Sequence, residues 1–319
     1  MAEVMHGRWM PKPGCWVIAR LDRWEERVDR YGRCFFDCDF VASKGKCRGM
    51  IWPGDAATKV PASLQKGEWH LVVMPSAQWG NRMTQRFKAI IPIVEVFTWL
   101  GKQLDFESDR YRSWKRLDRW FRQIPNSIVQ AFVLLTFLNK RLRDAFFEVP
   151  ASREHHHSWS GGLAEHSIEV AEHVATNALI RDSNQRWLAS VAGLFHDIGK
   201  VRTLHTERDV RRKSEILGHD CLTLETLAPS LAWLDQFDSE SGQVLRYLLT
   251  WDPTRQPRPL LPTAMAVKEA DRLSAGLSAY EMTFDSAPAW ARFASLDVSG
   301  PRNRFWRPKA QVPVLSQAR

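Results

Sequence analysis

The spacing of apolar positions changes once along the chain. Up to residue 94 they come in short runs, several alternating with charged residues. The segments 15–19, 33–41, 47–52, 67–74 and 86–94 read as strands. Turn-forming residues separate them, among them Ser43-Lys44-Gly45-Lys46, Pro53-Gly54-Asp55 and Gly80-Asn81, and 59–64 reads as a short helix or loop. From residue 96 the period is helical. Tyr111, Trp114, Leu117, Trp120 and Phe121 line one side of a helix over 109–123, with Arg and Lys on the other. Asn126 can cap a helix over 127–147 that is apolar on most sides. Further helices are predicted over 162–180, 185–196, 216–234, 242–250 and 263–282. The fold class is therefore a multidomain β plus α chain, a small β-barrel followed by an all-α bundle.

Composition fits a globular protein: 44% of the 319 residues are hydrophobic and 25% charged. No apolar run reaches the ~18 residues of a membrane span. The five cysteines form no paired metal spacing, so Cys34, Cys38 and Cys47 read as buried free thiols and the compartment as a reducing cytoplasm. The net charge of +9 is unevenly spread: +5 over 1–95, +4 over 96–150, −4 over 151–284 and +4 over 285–319. Basic flanks around an acidic centre suit a polyanionic partner, although basic surface can serve solubility alone. The strand order matches an OB-fold: a curved first hairpin, a strand ending Gly49-Met50-Ile51-Trp52, a short connection and a second hairpin. Most of its aromatic residues are expected to fill the barrel. Trp16 and Trp52, with Arg33, Lys44 and Lys46, are the candidates for stacking bases and following phosphates, and Arg116 and Arg119 extend that surface onto the basic helix.

The acidic centre holds the chemistry. His155-His156-His157 precedes Gly161-Gly162-Leu163 and His166; then come His196-Asp197-Ile198-Gly199-Lys200, Gly218-His219 and a late Asp271. Imidazole and carboxylate differ in charge and reach, so an adjacent His-Asp pair suits a metal, and a carboxylate can bridge two cations. Helical bundles build such sites from several helices. His173, two turns beyond His166, lies ~10 Å along the helix and reads as structural.

This pattern resembles the HD phosphohydrolase superfamily, with His166, His196, Asp197 and Asp271 at the positions of its H…HD…D core. Two branches are closest. The triple histidine and the Gly-Gly-Leu-x-x-His run resemble the TraI-type HD domain of MobH conjugative relaxases. The OB-like start followed by the HD motifs resembles the YhaM-type 3′–5′ exoribonucleases. The resemblance implies an OB-like nucleic-acid-binding domain over 1–95, a basic helical linker over 96–125, an HD phosphohydrolase domain over 126–284 and a basic, flexible tail over 285–319. It implies a divalent metal, Mn, Mg, Fe or Zn, and cleavage of single-stranded RNA or DNA. In that reading Lys200 offsets phosphate charge, and His156, His157 or His219 protonates the leaving oxygen. One departure stands out. Where YhaM-type chains carry a late His-His pair, this chain reads Thr250-Trp251-Asp252-Pro253. A second metal would rest on Asp197, His219 and Asp252, so one occupied site is expected and the second stays open. None of the four tyrosines (Tyr31, Tyr111, Tyr247, Tyr280) sits in a motif that suits a relaxase nucleophile. The alternatives are a nucleotide phosphohydrolase and a weakened, nucleic-acid-binding HD protein with conjugation or mobile-element partners.

Overall fold

The computed structural model describes residues 15–55, 58–75, 84–103, 108–152, 157–203, 219–295 and 304–308. The N-terminal part is a curled, OB-like sheet of six strands in the order β5-β3-β2-β1-β4-β6. These are β1 (Trp16–Val28), β2 (Cys34–Ala42), β3 (Gly45–Ile51), β4 (Trp69–Val73), β5 (Gln85–Arg86) and β6 (Ala89–Pro92). β1 is much longer than its first apolar run. A register shift between Leu21 and Arg23 lets it bend and pair with β4 at one end and β2 at the other. Val17, Ala19, Leu21, Cys38, Phe40, Val72, Phe87 and Ile90 fill the concave side.

β4 is buried along its whole length. His70 and Val72 point into the curl, whereas Trp69, Leu71 and Val73 face the helices, which is why the strand reads as an unbroken apolar run. The helical part comprises α1 (Ile93–Gly101), α2 (Asp109–Phe121), α3 (Ser127–Leu138), α4 (Lys140–Phe146), α5 (Gly162–Ala175), α6 (Ser183–Phe195), a 3-10 turn (Ile198–Arg202), α7 (His219–Asp235), α8 (Ser239–Thr250) and α9 (Thr263–Asp285). Its core runs without a break onto the outer side of β4 and β6. The Trp69 ring lies 5.0 Å from Trp233 and 4.9 Å from Phe237, both edge-on.

Several expectations shift. The strand predicted over 86–94 is two short strands that end at Pro92. α1 starts at Ile93 because Ile93, Val96, Phe97 and Leu100 then share one buried face. Phe97 stacks on Phe121 at 3.8 Å, so the segment foreseen as a linker is packed core. The helix predicted over 127–147 breaks at Asn139, whose side chain accepts from Leu142 N and caps α4. Part of the foreseen tail is ordered as β7 (Phe293–Ser295) and β8 (Arg304–Trp306). Cys38 and Cys47 are buried and burial pushes the Cys38 thiol up to about 12, but Cys34 is exposed at the strand end. Among the described residues no helix is long and apolar enough to cross a membrane.

Because sheet and helices share a core through Trp69, Trp69→Ala should lower stability by about 3–5 kcal/mol. Denaturant unfolding followed by circular dichroism should remain one cooperative transition at a lower midpoint. Separate melting of sheet and helices in the unmutated chain would show that the interface does not couple them.

Candidate metal centre and nucleic-acid surface

Three helices bring the site together. α5 begins at the Gly161-Gly162 pair. Gly161 has φ +83°, and a Cβ on Gly162 would lie 2.0 Å from the His157 carbonyl oxygen. The glycines therefore let the 157–160 loop fold against the head of α5, with His166 fully buried on the next turn. α6 ends at Phe195, and the chain tightens into the 3-10 turn, leaving His196 and Asp197 at the junction. Thr223 of α7 clasps that junction: its hydroxyl donates to His196 O and accepts from Gly199 N, both at 3.1 Å. α9 passes alongside with Asp271.

The ligand atoms of His166, His196 and Asp197 lie within 4.8 Å of one another. Asp271 Oδ1 is 3.1 Å from His166 Nε2 and 3.5 Å from His196 Nε2, and Asp197 Oδ2 is 3.3 Å from His196 Nε2. Both rings are oriented from behind. His196 Nδ1 lies 2.7 Å from the Gly193 carbonyl, which can only accept, so that nitrogen carries a proton. His166 Nδ1 lies 2.9 Å from Ser274 Oγ, whose own proton goes to Glu169 Oε2 at 2.6 Å. In its neutral form each ring would turn an Nε2 lone pair toward the Asp197 and Asp271 carboxylates. Lone pairs facing carboxylates repel unless a positive charge lies between them. The donor set fits a divalent cation held by His166, His196, Asp197 and Asp271.

The electrostatics agree. Burial disfavours a charged His196, but the Asp197 and Asp271 carboxylates outweigh it and its pKa is pushed up to about 10, so a proton takes the cation's role. Burial holds His166 below its ordinary value despite Asp271. Asp197 stays well below the carboxylate range because His196 and Lys200 overcome its burial. Asp271 is lowered likewise, its burial offset by the bonds to His166 and His196.

The remaining sequence candidates divide. Lys200 joins the centre, its Nζ 2.5 Å from Asp197 Oδ2. His157 is buried at 3%, with φ 43°, its backbone N–H on Ser278 Oγ and its Nε2 3.3 Å from Glu169 Oε2. It packs behind His166 instead of lining a cleft, because the glycine-hinged loop turns it inward. His156 lies outside the described residues; His219 opens α7, but its side chain lies outside them too. The Asp252 carboxylate accepts from Thr254 N and Oγ1, both at 2.8 Å, in a turn after α8. Trp251, at the place of the absent His-His pair, is buried in the helical core, with Nε1 donating to Gln256 O. Glu169 and Ser274 were missed. Each stands three residues after a ligand, on the same helix face as His166 and Asp271 respectively, which is the signal that would have found them.

On the sheet, Trp52 stacks on Phe35 at 5.1 Å, donates to Asp29 at 3.2 Å and lies under the Arg86 guanidinium at 4.8 Å. Arg33 pairs with Asp29 beside the exposed Tyr31 ring. Lys44 and Lys46 are exposed at the other end of β3, ~20 Å away by strand rise. Trp16 is partly buried and packs against the helical core. Arg116 is half-buried and committed to Glu172 at 2.6 Å, whereas Arg119 is exposed, with no ion pair among the described residues.

Residues 163–276 match the family model described as HD domain. Within that class the chain is similar to the 3′-5′ exoribonuclease YhaM of Bacillus subtilis (strain 168), 29% identical over 115 residues, covering 35% of this chain and 36% of the relative. The YhaM of Shouchella clausii (strain KSM-K16) is 27% identical over 135 residues, 42% and 41% of the two chains. That of Listeria monocytogenes serotype 4b (strain CLIP80459) is 25% identical over 150 residues, 44% and 47%. The matches thus span less than half the length of these relatives. No solved structure matches.

Two outcomes are expected. Glu169→Gln should weaken metal affinity by about 10–100-fold in a chelator competition, because it loosens the bonds that orient His166. Second, the folded, metal-free chain keeps the His196 proton between about 6.5 and about 10, where the unfolded chain has lost it. That stabilisation is complete below pH 6.5 and disappears as pH rises through 10. The melting temperature of the chelator-stripped chain should fall across this window, and the fall should flatten in His196→Gln or with a bound divalent ion.

Proposed function

We propose that the protein is a metal-dependent phosphodiesterase that cleaves single-stranded nucleic acid. The observation that carries this reading is the pair of histidines fixed with Nε2 toward Asp197 and Asp271. The similarity to exoribonucleases supports RNA as the substrate. In this reading residues 1–95 act as the handle, 96–125 join it to the catalyst, and 126–284 hold the scissile phosphate. Bound at the four ligands, a divalent cation would activate water and neutralise charge on the phosphate. Lys200, already beside Asp197, is placed to meet a non-bridging oxygen. His157 is enclosed behind His166, so the leaving oxygen takes its proton from His156 or His219. Trp52, Arg33, Lys44, Lys46 and Arg119 receive the strand on the outside. The chain acts in the cytoplasm in this reading.

A second reading has one observation in its favour. Trp251 and Asp252 occupy the stretch of sequence where the resemblance expects a His-His pair, which favours a slow or binding-only HD protein, relaxase-related and working with conjugation or mobile-element proteins. Turnover of an end-labelled oligonucleotide, compared with free nucleotides, separates these readings and the nucleotide phosphohydrolase. The first predicts that the metal-loaded chain cleaves the oligonucleotide faster and holds a single tight ion by elemental analysis. Asp197→Ala should lose ion and turnover together. Full metal and turnover in that variant would mean that the site is misassigned, and two hard-to-strip ions would mean that the absent histidines have been replaced by other ligands.

A further inference from the structure

The end of the chain carries an aromatic surface that the metal centre does not explain. β7 and β8 pair antiparallel, with Phe293 opposite Trp306, Ala294 opposite Phe305 and Ser295 opposite Arg304. Directly opposed residues share a face. One face holds Ala294 and Phe305 and turns toward α9, where the Phe305 ring meets Tyr280 edge-on at 5.9 Å. The other holds Phe293 and Trp306, 53% and 54% exposed, and Trp290 nearby is 83% exposed. The ribbon is firmly seated. Arg307 donates to the carbonyls of Pro288, Ala289 and Ala291, lies 4.5 Å over the Phe284 ring, and accepts at its own carbonyl from Arg292 Nε at 2.8 Å.

The cations here differ from those on the sheet. Arg23, Arg27 and Arg48 each lie against Asp or Glu carboxylates. Among the described residues no carboxylate lies within ion-pair distance of Arg292, Arg304 or Arg307. Instead Arg304 sits 4.7 Å over Phe293 and Arg292 5.9 Å over Trp306. Exposed rings beside guanidinium groups that, among the described residues, have no carboxylate partner are the combination that single strands require, because every base has a π-face and every phosphate a charge. A partner surface matched to the rings alone would leave the guanidinium groups without counter-charge, which favours a polyanion.

We propose that the outer face of this ribbon binds single-stranded nucleic acid, with bases on Trp306, Phe293 and Trp290 and phosphates at Arg304 and Arg292. The inference rests on the phosphodiesterase reading and adds a second contact to it. α9 links the two places: Asp271 and Phe284 are ~20 Å apart along its axis. A strand cut at the metal centre is held at its distal part by the ribbon, so grip depends on strand length.

The test uses the full chain and two variants, Trp306→Ala and Arg304→Glu, both changed at exposed side chains and checked for fold by circular dichroism. Binding of a dye-labelled homopolymeric single strand of about 20 nucleotides is read by anisotropy in chelator, across a salt series. Hydrolysis of bis(p-nitrophenyl) phosphate with metal reports the centre separately, since that diester is too small to reach the ribbon. Trp306→Ala should weaken strand binding by about 10-fold. Arg304→Glu should weaken it and lower the salt slope by about one unit. Both should leave hydrolysis of the small diester unchanged. Wild-type affinity in both variants would overturn this inference alone. A wild-type chain that binds no single strand would sink the substrate reading and the inference with it. A wild-type dimer that the variants dissociate, by light scattering, would make the ribbon an interface between copies and overturn the proposal.

Discussion

Two carboxylates and two imidazoles share a space from which water is largely excluded, and the charge in it has to be balanced. Asp197 and Asp271 cannot both remain ionised there without positive charge close by. In the metal-free fold the His196 proton and the Lys200 ammonium supply it. A divalent cation held by these four residues would supply more. The surrounding structure serves this constraint: Gly193 and Ser274 set the tautomers, Glu169 polarises Ser274, and Thr223 fixes the turn that carries the His-Asp pair.

The same supports explain why the centre is asymmetric. On the α5–α9 side a chain of polar groups runs outward from His166 through Ser274 to Glu169, and on to His157 and Arg116. At the end of α8 the packing is apolar, with Trp251 in the helical core. The Asp252 carboxylate that follows α8 accepts from Thr254.

The sheet is bound to this centre rigidly. β4 is buried on both faces, and Trp69 interlocks with Trp233 and Phe237 of the helical layer. A sheet sharing its core with the helices cannot swing independently of them. Most arginines of the sheet are spent on its own carboxylates. These pairs cancel within the sheet, so the formal surplus of the N-terminal part falls on its remaining cations.

What the sequence by itself determined is local. The change from strand to helix period, the Gly-Gly pair, the adjacent His-Asp and the late Asp are legible because short-range geometry imposes them: a two-residue alternation, a 3.6-residue turn, a backbone approach that tolerates no Cβ. Only the tertiary structure decided the rest. The pairing of Arg116 with Glu172, the packing of Trp16 on the helices and the start of α1 at Ile93 depend on which elements meet. Asp252 and Asp271 are both acids near helix residues, and no local pattern says that one closes a turn while the other faces two imidazoles. The ribbon after α9 was invisible for the same reason, since three-residue strands have almost no periodicity to read and are held by contacts that Arg307 and Phe305 make across the chain.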